Sequence, residues 1–106
     1  MRKIKITTWK AKISEDKEVD ENLMIAINVL LSNKRPEEMK RGLDFFRTMN
    51  RISKAFEKAE ESNELVLEES DYSFLKETIE KDVPAVWGMN QKLNEAIELF
   101  LNAKQE

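Results

Sequence analysis

Lysine and isoleucine alternate at the start of the chain, Lys3-Ile4-Lys5-Ile6, with the period of a half-buried strand. Past Thr7 and Thr8 the apolar set moves to Trp9, Ala11 and Ile13, so the register flips. A bulge, a bend, two successive strands or an extended arm would account for the flip. From Leu23 to Leu31 the pattern becomes apolar nearly all round, interrupted at Asn28. This predicts a helix capped by Asp20, favoured by Glu21 at its positive end and running to about Ser32. A helix of that kind lies at the centre of its domain or is partly covered by another chain.

Pro36 with Glu37 and Glu38 then marks the first turn of a long helix. Its stripe of Met39, Leu43, Phe46, Met49, Ile52, Phe56 and Ala59 steps by three or four residues to about Glu61. Gly42 interrupts the pattern, and close packing of another helix against it is the expected reason. Asn63 suits a turn, and Leu65-Val66-Leu67 reads as a short strand or connection able to pair with the N-terminal strand. Ser70 is the expected cap of a third helix, which carries Asp71 in its first turn and Tyr72, Leu75 and Ile79 on one face, with Phe74 beside it. That helix should stop before Pro84. Asn90 caps a last helix with Leu93, Ala96, Ile97, Phe100 and Leu101 at core spacing.

These elements define a mainly α fold: about four helices, a long central one, and at most a small two- or three-stranded sheet from residues 3–13 and 64–67. Two Gly and two Pro in 106 residues suit long elements, and the length suits one domain. Residues 1–14 would form a basic strand or arm and residues 20–104 the helical body. Cys and His are both absent, which removes thiolate and imidazole chemistry, zinc sites and disulfides. Neither an apolar signal run nor a stretch long enough to span a bilayer is present, so the chain reads as neither secreted nor membrane-bound.

Charge is arranged in blocks beneath a net charge of −3. Residues 1–14 carry five basic groups and no acid, 34–58 carry eight basic against four acidic, and 59–82 carry nine acidic against two Lys. Such blocks cancel within a fold or mate between neighbours. Lys40, Arg47, Arg51, Lys54 and Lys58 share one face of the long helix. They could grip phosphates or an acidic partner, or form a solvated face paired with the acidic block; the second reading is preferred. Val86 and Trp87 stand between Pro84 and Gly88, a stiff connection that aims the indole either at a partner pocket or, the preferred reading, inward as a plug. Trp9 lies among Lys residues on a strand that could add to a neighbour's sheet, or whose lysines prevent such pairing. Carboxylates gather before the first and third helices, where helix N-termini favour them; neither run fits a calcium loop.

The stretches RGLDFFRTMNRISKAF, LVLEESDYSFLKETI and VPAVWGMN give the chain a layout that resembles the small helical proteins encoded by bacteriophages and prophages. That resemblance implies a virion or assembly component, a regulator or a binder of host factors, in the host cytoplasm or the virion. The expectation is a protein that is not an enzyme, takes no cofactor, metal or small-molecule substrate, and works by contact with a protein partner or with copies of itself as a homo-oligomer. A nucleic-acid-binding regulator using the basic helix face is the alternative, as is an acidic inhibitor mimicking nucleic acid.

Overall fold

The computed structural model of the chain describes residues 1–33 and 42–105, and for Ile13 and Val86 the backbone alone. The expected start of the long helix, with Met39 and Lys40, lies outside the described residues. In chain order the elements are β1 (Arg2–Lys5), β2 (Trp9–Ser14), β3 (Lys17–Glu21), α1 (Leu23–Ser32), α2 (Leu43–Ser62), β4 (Glu64–Leu67), α3 (Glu69–Asp82), a 3-10 turn (Ala85–Met89) and α4 (Gln91–Leu101). The fold is mainly α, with four helices and two small antiparallel sheets, β1–β4 and β2–β3, among the described residues.

The register flip after Thr8 is the boundary between two strands in different sheets. β1 pairs with β4, Ile4 opposite Leu65 and Arg2 opposite Leu67, so the alternation turns Ile4, Leu65 and Leu67 into the core and Lys3, Lys5, Glu64 and Val66 outward. β2 pairs with β3 in a hairpin that the sequence reading missed, with Lys10 opposite Asp20 and Lys12 opposite Glu18. The expected cap at Asp20 is therefore corrected: Asp20 belongs to β3, and Asn22 caps α1, accepting from the Ile25 N–H at 3.0 Å. Backbone pairing with β2, with the exposed Lys10–Asp20 ion pair beside it, holds residues 17–21 extended and moves the helix start to Leu23.

Asn63 ends α2 in a left-handed conformation (φ 59°) and starts the next pairing. Its N–H donates to the Ala59 carbonyl at 2.8 Å, and its own carbonyl accepts from the Ile6 N–H at 2.8 Å. Gly42 does not serve close packing. It sits at φ 110° as the residue before α2, with nothing within 4 Å of where a Cβ would stand, so backbone conformation is what requires it. The first residue of α3 is Glu69, preceded by Glu68 rather than capped by Ser70, and Asn90 caps α4 by accepting from the Leu93 N–H at 3.1 Å.

One core joins these parts. α1 packs on α3 and α4, and α2 on β4 and α3. Leu23, Ile27 and Leu30 from α1, Ile52 and Phe56 from α2, Tyr72, Leu75 and Ile79 from α3, and Leu93 and Phe100 from α4 are buried together with the sheet residues. Each such large side chain, fully removed from water, contributes ~1.5–3 kcal/mol. α1 is not apolar on all sides to equal effect: Ile25 and Val29 remain exposed on the face turned away from the core.

Candidate functional site

The start of α3 gathers two arginine–carboxylate forks. Arg51 of α2 donates from Nε and Nη2 to the two Asp71 carboxylate oxygens at 3.0 and 2.9 Å, and Asp71 is buried. Arg2 of β1 grips Glu69 in the same bidentate way, at 2.9 and 2.7 Å, and donates its remaining Nη to the Ala103 carbonyl. Its guanidinium carbon stands 4.3 Å over the centre of the Tyr72 ring. The Tyr72 hydroxyl donates to the Phe100 carbonyl at 2.7 Å, and the two rings are 4.8 Å apart. Burial, first, pushes the Tyr72 hydroxyl above the ordinary tyrosine value. These forks tie β1, α2 and the chain end to α3, and the acidic groups favoured at its N-terminus are the anchor.

That geometry removes Arg51 from the basic stripe, because its fork is already filled. Arg47, Lys54 and Lys58 are exposed and form no ion pair among the described residues, while Lys40 lies outside them. The face carrying Arg47 holds an unexpected feature. The buried set of α2 is Ile52, Phe56 and Ala59, preceded by the half-buried Met49 and Phe45. Phe45, not Phe46, turns inward, and its ring meets the Phe74 ring edge-on at 5.9 Å. Leu43 and Phe46 stand 58% and 61% exposed, correcting the expectation that they continue the core stripe. α2 thus carries a second, outer apolar strip near its N-terminus, flanked by the exposed Asp44 and Arg47.

The two tryptophans have different settings. Trp87 is half-buried against the core, on a turn fixed by the Trp87 N–H donating to the Pro84 carbonyl and the Asn90 N–H donating to the Trp87 carbonyl, each at 3.0 Å. The next exposed apolar group on that turn is Met89, and the side chain of Val86 is outside the described residues. Trp9 is also half-buried against the core, and its buried indole N–H has no hydrogen-bond partner among the described residues. Beyond Trp9 the hairpin is largely solvent-exposed, with Lys10 and Lys12 on one face and Val19 on the other. The structure does not bring Trp9, Trp87 and the basic stripe together into a single site.

Among the described residues no three acidic side chains gather in a way that could hold a metal ion. No described helix is long and apolar enough to cross a membrane. No family model, curated protein or solved structure matches the chain.

The Arg2–Glu69 fork makes a pH-dependent contribution. Hydrogen bonding from Arg2, opposed by burial, holds the Glu69 carboxyl below its ordinary value. A lowered folded-state pKa stabilises the fold above the unfolded value of ~4.3, and that contribution disappears as pH falls through the folded value. Glu69→Gln should therefore melt below the wild type at neutral pH, with the gap closing in acid. Thermal melts of both proteins between neutral pH and strong acid check this; a gap that does not change with pH would contradict it.

Proposed function

We propose that this protein is a non-enzymatic interaction or assembly protein that associates with copies of itself through the outer strip of α2. The observation that carries the reading is the pair of large side chains on one helix face, Leu43 and Phe46, left exposed at 58% and 61% while the opposite face is packed. A small chain gains nothing in stability from a bare phenylalanine, and an apolar group bounded by charge suits a surface that another chain covers. Asp44 and Arg47 flank the strip with opposite signs. Two copies of α2 crossing antiparallel near Phe46 would bring each Arg47 toward the other's Asp44, the self-complementarity a two-fold contact needs.

Protein is favoured over nucleic acid because Arg51, in the middle of the basic stripe, is held by Asp71 and has no fork to offer a phosphate. A bacteriophage or prophage setting belongs to the same proposal and is supported by the layout of the chain. Light scattering at rising protein concentration tests the reading. The mass should climb from that of one copy toward two, and added salt should leave the climb largely intact because apolar burial drives it. A single-copy mass at every concentration would refute self-association.

A further inference from the structure

We propose that the β2–β3 hairpin is a hinged arm, latched to the body by Trp9, that swings open as one unit while the rest of the fold stays intact. This goes beyond the self-association reading and uses no residue of α2.

Little of the hairpin touches the body. β2 and β3 pack extensively only on each other. From Lys12 to Asp20 every described side chain is exposed. Among the described side chains of the hairpin, Trp9 alone packs against the core. Beyond it, a hollow of about 480 Å³ separates β2 from the start of α4: Trp9 to Lys12 form one wall, with Glu21 beside them, and Met89 to Lys92 form the other. A two-stranded hairpin without a packed face is marginal in water, so the seat of one side chain decides whether this one stays closed.

The latch is itself weak. The buried indole N–H of Trp9 finds no acceptor among the described residues, which offsets part of what burial of the ring contributes. Nothing within the arm ties it to the body: the exposed Lys10–Asp20 ion pair joins the two strands to each other, and their register slips between Lys12 and Ser14. The two roots of the arm meet at one place. Thr7 and Thr8 are exposed and outside any strand, and on the returning side Asn22 separates β3 from α1. The Asn22 side-chain amide donates to the Thr8 hydroxyl at 3.5 Å, while its oxygen caps α1. Rotation at Thr7–Thr8 and at the Glu21–Asn22 junction moves the arm and leaves the β1–β4 pairing in place, because the Ile6 N–H is tied to the Asn63 carbonyl. Opening frees Trp9 and widens the hollow toward α4, so the arm is a strap across that end of the molecule. A sub-global opening of this kind costs less than unfolding the whole chain.

Hydrogen exchange of the full chain, followed by nuclear magnetic resonance, tests the arm. The paired amides of β2 and β3 should be about a hundredfold or more less protected than those of α3, and urea below the unfolding transition should hardly change their rates, because a local opening exposes little surface. The Trp9 indole N–H should show the same protection as those amides, since latch and arm move together. Ile52→Val, a mild truncation in the core, should lower the protection of α3 by roughly threefold to tenfold and leave that of the arm unchanged, because the body is folded in both the closed and the open state. Trp9→Ala should still fold and should lower the protection of the arm by about tenfold. The proposal is overturned if the arm and α3 share one protection and one urea dependence, or if Ile52→Val weakens both equally. It is also overturned if the indole N–H stays as protected as α3 while the hairpin amides exchange, which is fraying without release of the latch. A Trp9→Ala chain that fails to fold, or whose arm is as protected as in the wild type, overturns it as well.

Discussion

Phe100→Ala should lower the stability of the fold by about 3–5 kcal/mol, the range for emptying a fully buried phenylalanine site. Phe100 is 0% exposed, and its ring packs 4.8 Å from the ring of Tyr72. Tyr72 in turn lies under Arg2, so the cavity would open beneath the contact joining β1, α3 and α4. Domains of this size have ~5–15 kcal/mol in total, so the loss is a large share. The melting temperature should fall by roughly 15–30 °C. The neighbouring residue provides the control. Leu99 is 50% exposed on the same helix, and Leu99→Ala should cost less than ~1 kcal/mol. Thermal melts of the two variants decide; equal losses would mean that α4 is not packed as described.

Arg51→Ala should be the other severe change, and more costly than Asp71→Ala. Removing the arginine leaves a carboxylate, 3% exposed, without its fork, and a buried carboxylate stripped of its partner is destabilising. The loss is moderated because the Arg51 side chain is 44% exposed and water can follow its removal. Asp71 also keeps the favourable N-terminal end of α3. Removing the aspartate is milder, since the released guanidinium can turn outward to solvent. The double variant should be less destabilised than the sum of the two, a coupling that a double-mutant cycle reads directly. Chemical denaturation of the three variants measures this. Additive losses, or the opposite order of the single variants, would show that the fork does not hold α2 to α3.

Much of the fold is legible in the sequence where one periodicity acts without competition. Ile4 and Ile6 alternate with lysines, and Leu65 and Leu67 sit between turn residues, so the β1–β4 pairing could be anticipated. Asn90 is the cap preceding an amphipathic run, and it caps. Legibility ends where two patterns overlap. Residues 17–21 hold one apolar residue, Val19, and their strand is made by backbone pairing with β2, which sets Lys10 opposite Asp20, a relation invisible until the turn is known. Asp20 and Asn22 are both competent caps, and that strand is what selects Asn22.

At the start of α2 the difficulty is rotational. Leu43 and Phe46 fit one helical stripe, and Phe45 with Met49 and Ile52 fits another; the Phe74 ring decides which faces inward. The candidate site was legible in part for the same reason. A basic stripe can be read from spacing alone, but the engagement of Arg51 depends on Asp71, twenty residues away on another helix.

The central claim is that the Leu43–Phe46 strip exists to be covered by a second copy. Sedimentation equilibrium of the wild type beside the Leu43→Glu, Phe46→Glu double variant tests it most directly, because both positions are exposed and the substitutions should leave the fold intact. The account predicts a wild-type mass that rises with concentration toward two copies, and a variant that stays at one copy with an unchanged melting temperature. A wild type that remains a single copy throughout, or a variant that associates as strongly as the wild type, would contradict it.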